Sequence, residues 1–164
     1  MAEGQRNEGG SGNGFAALPA GSANALEHAL AAARAEANRL GVRACIALVD
    51  SAGALIAFLR LPGAFLISTD LAIDKAWTAA GFSLSTRGLG EMLAQTEENV
   101  RNGLLRRPRL TVVPGGIPIF HEAHCLGAIG VSGGTAEEDE QIAAAGLQCA
   151  SGSMDTQAVS PITR

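Results

Sequence analysis

The chain has 164 residues, 47% of them apolar, with a formal net charge of −4 and a mean hydropathy of +0.19. That is enough apolar material for the core of one domain. One Trp, no Tyr and an acidic balance argue against a nucleic-acid surface, and no apolar run approaches the roughly 20 residues that span a bilayer.

Residues 1–21 are rich in Gly, Ser, Asn and Glu and are expected to form a disordered tail. They carry no signal-peptide pattern, so a cytoplasmic protein is expected. Residues 22–40 place Leu26, Ala29, Leu30, Ala33, Ala37 and Leu40 on one helical face, with Gly41 as the stop. Residues 43–50 and 54–60 are two short apolar runs around Ser51-Ala52-Gly53, which predicts a hairpin. Arg60 closes the second run. It is either a rim residue with its stem on the core or an anion-binding group.

Residues 65–82 read as a helix, with Ser68, Thr69 and Asp70 as capping candidates. Leu71, Lys75, Thr78 and Phe82 share a face, so Lys75 is a cation in an apolar stripe. It needs a carboxylate, from Asp74 or from a distant residue, or else it faces a cavity and its ligand. Residues 85–105, interrupted by glycines, predict one broken helix or two short ones, with a solvated or interface face of Glu91, Glu97, Glu98, Arg101, Arg106 and Arg107.

Residues 110–113, 117–120 and 126–131 read as three strands, the last two joined around His121-Glu122-Ala123-His124. Thr135-Ala136-Glu137-Glu138 is a capping box that opens a helix through Leu147. Residues 150–164 read as a flexible C-terminal tail, which leaves residues 22–149 as the domain. The element order lacks a regular β-α-β alternation. It predicts an α/β protein of the α+β type, an antiparallel sheet of about five strands flanked by helices.

The motifs that carry chemistry are few. His121 and His124 are three apart in a predicted turn, whereas the helical zinc pattern needs four, so they are weak metal candidates and no metal is expected. Cys45, Cys125 and Cys149 form no C-x-x-C pair and are expected as buried, reduced thiols. Arg60, Lys75, Thr78 and the Gly115-Gly116 turn offer cations, a hydroxyl and bare backbone N–H groups, a set suited to a carboxylate.

The runs Ala47-Leu-Val-Asp-Ser-Ala-Gly-Ala-Leu-Ile-Ala-Phe-Leu-Arg60, Gly63-Ala64, Asp74-Lys75-Ala76-Trp77-Thr78-Ala79, Gly115-Gly116-Ile117-Pro118-Ile119-Phe120 and Leu126-Gly-Ala-Ile-Gly-Val-Ser-Gly133, with the Glu138-Asp139-Glu140 helix, resemble the GlcG-like haem-binding family. That family is related to the C-terminal domain of PduO-type corrinoid adenosyltransferases. The resemblance covers about residues 22–147. It implies a profilin-like fold and homo-oligomers from dimer to octamer. It also implies haem or another tetrapyrrole as ligand, with haem degradation in some members. Arg60, Lys75, Thr78, Gly115, Gly116 and Pro118 fall on its motif positions and are the implied ligand-binding residues. The His121-Glu122-Ala123-His124 tip and Leu61-Pro62-Gly63 depart from its pattern. The alternative reading is a lyase, isomerase or hydrolase acting on a small anionic metabolite. There Arg60 anchors a carboxylate, Lys75 is the acid, base or electrophile, and Glu122 or His121 moves a proton.

Overall fold

Nine elements run through the described residues, 22–121 and 123–155, of the computed structural model. They are α1 (Ser22–Leu40), β1 (Cys45–Asp50), β2 (Leu55–Arg60), α2 (Ile67–Phe82), α3 (Thr86–Ala94), α4 (Glu98–Leu105), β3 (Gly116–His121), β4 (His124–Ser132) and α5 (Ala136–Asp155). The expected N-terminal tail, Glu122 and residues 156–164 lie outside them. Among the described residues, no helix is long and apolar enough to cross a membrane.

The strands form one antiparallel sheet in the order β2-β1-β4-β3. Its centre reads as unbroken apolar sequence because both faces are covered. Ile46 and Leu48 of β1 join Ile129 and Val131 of β4 against Ala29, Ala33 and Ala37 of α1 and Ile142 of α5. Cys45, Ala47 and Val49 point the other way, with Ala128, against Ala72, Ala76 and Ala79 of α2. The sheet residues of the first face are large and branched, whereas the second face is mostly alanine and cysteine. Helix α2 therefore lies very close to the sheet. A Cβ on Gly130 would run into the Ala72 carbonyl and the Ala76 backbone nitrogen, so only glycine admits the helix there.

The sheet has four strands, not about five. Residues 110–113 form no strand, because their backbone donors go elsewhere. The Leu110 N–H donates to the Arg107 carbonyl, the Thr111 N–H to Thr78 Oγ1 and the Val113 N–H to Thr111 Oγ1, and Pro114 has none to give. Pairing starts only at Gly115, whose carbonyl accepts from the Val131 N–H.

Other expectations shift less. Helix α2 begins after Leu66 without a side-chain cap, in place of the expected Ser68, Thr69 or Asp70. Phe82 is exposed, so the Leu71-to-Phe82 stripe divides after Thr78. The capping box of α5 forms, with the Thr135 N–H donating to Glu138 at 2.8 Å and the Glu138 N–H to Thr135 Oγ1 at 3.2 Å. The helix continues to Asp155, past Leu147. Of the cysteines, Cys45 is buried, Cys125 half-buried and Cys149 exposed; Cys149 falls on the open side of α5.

Gly130→Ala is expected to lower unfolding stability by about 1–3 kcal/mol through overpacking against the α2 backbone. Urea titration should show the midpoint fall with an unchanged slope.

Candidate functional site

Lys75 lies on the inner side of α2, its side chain 1% exposed. The close approach of α2 carries its ammonium across to the loop that follows β4. Nζ donates to Asp139 Oδ2 and to the Val131 carbonyl, both at 2.7 Å. The other Asp139 oxygen accepts from the Gly134 N–H at 2.9 Å. Of the two partners the sequence allows, the distant carboxylate is the one used. Asp74 instead pairs with Arg109. Burial is the largest influence on both members of the inner pair. It pushes Lys75 below its ordinary range and Asp139 above its own, and each charge partly opposes the shift of the other.

The Gly115-Gly116 turn closes over this pair. At φ +121° Gly115 adopts a conformation that other residues rarely reach. A Cβ there would stand 2.6 Å from the Val131 carbonyl oxygen and 3.0 Å from Lys75 Nζ. A Cβ on Gly116 would strike the Lys75 carbonyl, and its N–H donates to the buried Thr86 hydroxyl at 3.1 Å. The turn is thus seated on α2 with protein atoms beneath it. Pro118 is buried in β3, an edge strand, where its missing N–H leaves no ladder bond unmade.

Thr78 is also occupied. Its hydroxyl donates to the Arg109 carbonyl at 3.2 Å and accepts from the Thr111 N–H at 3.1 Å. The bracket fixes the segment that carries Arg109, a residue held at φ 69°, where a side chain costs about 1 kcal/mol. Arg109 Nε donates to Asp74 Oδ1 at 3.0 Å, and its guanidinium sits 5.1 Å from the Trp77 ring centroid. An open cavity of about 380 Å³ lies beside it, lined by Asp70, Ile73, Asp74 and Arg109. This volume is in the range of small-molecule sites.

Arg60 donates to the Ala64 carbonyl at 2.7 Å from the exposed end of β2. It does not meet the Gly115-Gly116 turn. Their strands are opposite edges of the sheet, three spacings or roughly 14 Å apart. His121 and His124 are paired across the β3–β4 hairpin, and both are exposed. Among the described residues, no group of three or more His, Cys, Asp or Glu is placed to hold a metal. Glu122, between the two histidines, is not among those residues.

The structure therefore joins Lys75, Gly115 and Gly116 in one buried cluster and leaves Arg60 apart from it. It adds Asp139, Arg109, Asp74, Asp70 and Ile73, none of which stood out as a site residue in the sequence. Asp139 is 64 positions from Lys75, and nothing in its acidic run sets it off from its neighbours. For Arg109 there was a signal in the Asp74-x-x-Trp77-Thr78 spacing, but only the fold shows that Arg109 meets all three.

A small-residue sheet face, a sealed ion pair and an open cavity walled by Arg109, two aspartates and Ile73 describe this α+β domain. Residues 22–148 match the family model described as haem degrading protein HbpS-like, and the chain belongs to that family. GlcG of Escherichia coli (strain K12) is 34% identical over 103 residues, which cover 63% of this chain and 74% of that protein. A double mutant of HbpS from Streptomyces reticuli superposes with a TM-score of 0.75 at 30% identity, over 90% of this chain and 97% of that one. A PduOC:haem complex superposes with a TM-score of 0.71 at 27% identity, over 77% and 91%.

Lys75→Met strands Asp139 without its cation and is expected to cost about 3–5 kcal/mol near pH 8. The loss should shrink as pH falls. A carboxyl whose folded pKa lies above its unfolded value favours folding fully below the unfolded value, and that contribution disappears as pH rises through the folded one. Combining Lys75→Met with Asp139→Leu should recover most of the stability. Chemical denaturation at pH 5 and pH 8 measures all three; a loss in Lys75→Met that is independent of pH contradicts the account.

Proposed function

We propose that this chain binds haem, or another tetrapyrrole with carboxylate arms, at the cavity beside Arg109. The observation that carries the reading is Arg109 itself. Asp74 holds its Nε, Thr78 holds its backbone, and Trp77 lies against its guanidinium face. Its two terminal nitrogens have no hydrogen-bond partner among the described residues, and the side chain lines the open cavity. A planar guanidinium pairs with a carboxylate through two parallel hydrogen bonds. Ile73 supplies an apolar wall next to it.

Arg109 suits a carboxylate and Ile73 an apolar part of such a ligand; Asp74 is committed to Arg109, and Asp70 puts a second carboxylate on the wall. The four lining residues include no imidazole or sulfur for iron, and His121 and His124 on the hairpin remain the imidazole candidates. Haem, when bound, supplies the redox chemistry; the chain's residues bind and orient it. The family description names haem degradation, and the PduOC neighbour is a haem complex, which supports haem over other anions. In this reading Lys75, Gly115, Gly116 and Pro118 build the platform, Thr78 positions Arg109, and Arg109 meets the ligand. The sealed position of Lys75 counts against the lyase, isomerase or hydrolase reading, in which its amine must reach a substrate.

Haemin titration followed at the Soret band is expected to show a saturable change at micromolar concentration. No such change removes the proposal. Arg109→Ala should weaken binding about tenfold through loss of a charge-assisted pair. Thr78→Val, which frees the 109–111 segment without lining the cavity, should weaken it by a smaller factor. With a reductant and oxygen added to the same sample, loss of the Soret band with release of iron indicates degradation, and a stable band limits the function to binding.

A further inference from the structure

The helical zinc pattern asks for histidines four apart, and His121 and His124 are three apart. The strand register brings them together by another route. They are directly opposed in the β3–β4 ladder, with only two residues between them in the sequence. Opposed residues of an antiparallel pair project from the same face, with Cβ atoms about 4.5–5.5 Å apart. Both histidines are exposed, and among the described residues neither imidazole is engaged in a hydrogen bond or an ion pair.

This opposition is the product of a bulge. Ile119 faces Gly127, but Phe120 faces Cys125, so Leu126 is passed over. In an unshifted ladder His121 would oppose Cys125, and His124 would fall in the turn. Two features hold the shifted register. A Cβ on Gly127 would run into the Val49 carbonyl oxygen, so β4 lies flush against β1 there. The Cys125 thiol donates to the Gly127 carbonyl at 3.3 Å, across the extra residue. Bulges re-aim side chains beside functional sites.

Two imidazoles on one face suit a single ion. Imidazole nitrogen binds zinc at about 2.0–2.1 Å, so ligands at neighbouring coordination positions stand about 3 Å apart. Side chains rooted roughly 5 Å apart can converge to that spacing. For nitrogen ligands the affinity of divalent first-row ions peaks at copper(II). Haem iron does not suit the two histidines together. A porphyrin fills the equatorial plane of its iron and leaves positions on opposite sides, which neighbours on one face of a hairpin do not both reach.

We propose that His121 and His124 form a two-imidazole clamp for a late first-row divalent ion, copper(II) above nickel(II) and zinc(II). Water fills the remaining coordination positions. Neither histidine lines the cavity beside Arg109, and the clamp works without haem.

Calorimetric titration of the full chain with copper(II) and nickel(II) chloride tests this. Cys125→Ser and Cys149→Ser are carried throughout, to remove the accessible thiols; serine at 125 keeps a donor for the Gly127 carbonyl. One ion per chain is expected, copper(II) the tighter. His121→Asn and His124→Asn should each raise the dissociation constant at least about tenfold, since loss of a mere supporting partner of a metal ligand already costs 10–100-fold. The two together should abolish binding. His28→Asn, at the third histidine of the chain, should change nothing. His121→Asn with Phe120→His keeps the number of histidines but moves one to the opposite face, and should bind no better than His121→Asn alone. Electron paramagnetic resonance of the copper(II) complex should show two nitrogen ligands, and one in each single variant whose circular dichroism stays native. Absence of saturable binding before any histidine is replaced overturns the proposal. So does a single histidine variant that keeps the affinity, or recovery in the Phe120→His variant. No haemin is present, so the outcome does not depend on the haem reading.

Discussion

The contact between Lys75 and Asp139 fixes more of this structure than any other. It joins the middle of α2 to the first turn of α5, and through the Val131 carbonyl it takes in the end of β4. Two charges removed from water cost several kcal/mol each unless their remaining hydrogen-bonding capacity is met. Here it is met by backbone: Val131 on the cation and Gly134 on the carboxylate. The pair adds little net stability over a well-packed apolar pair. What it imposes is geometry, because α2, α5 and the end of β4 must keep these positions for both charges to keep their partners.

That geometry depends in turn on how close α2 comes to the sheet. Ala47, Ala128 and Gly130 on the sheet meet Ala72, Ala76 and Ala79 on the helix, and the small side chains let the two backbones nearly touch. Larger residues would lift α2 and draw the Lys75 ammonium out of reach of Asp139. The same approach presses the Gly115-Gly116 turn onto the helix and places Thr78, one turn after Lys75, where its hydroxyl can bracket residues 109–111. Arg109 is then held in a costly backbone conformation beside Trp77. Strain of this kind at a cavity wall is characteristic of ligand sites. The proposed binding residue is therefore positioned by a chain of contacts that begins in the packing of alanines.

The role of the glycines differs between the two ends of the chain's central region. At Gly115 and Gly116 glycine is required by what lies beneath, which is protein and not a ligand. At Gly103 no atom lies within 4 Å of where a Cβ would stand, so nothing inside the described chain requires glycine there. Both positions look alike in the sequence. The space a side chain would occupy is a property of the folded molecule alone.

Much of the architecture was legible in the residues. The helical stripe of α1, the β1–β2 hairpin, the β3–β4 hairpin and the Thr135 capping box all follow from local periodicity and local hydrogen-bonding chemistry, which act within a few residues. The family was legible too, because its motifs are short and in order. The sequence also determined that Lys75 must find a counter-charge if it is buried, since an apolar stripe cannot hold an ammonium alone. Only the tertiary structure decided which one. Local rules do not reach across the 64 positions to Asp139. They also assigned a strand to residues 110–113, where long-range packing draws the Thr111 N–H to Thr78 and the Leu110 and Val113 donors turn to local acceptors. The same rules grouped Arg60 with the Gly115-Gly116 turn, although the strand order sets them on opposite edges. The candidate site moved to Arg109 for one physical reason. Side chains meet where strand order and helix approach bring their backbones together, and neither quantity is written in the spacing of residues along the chain.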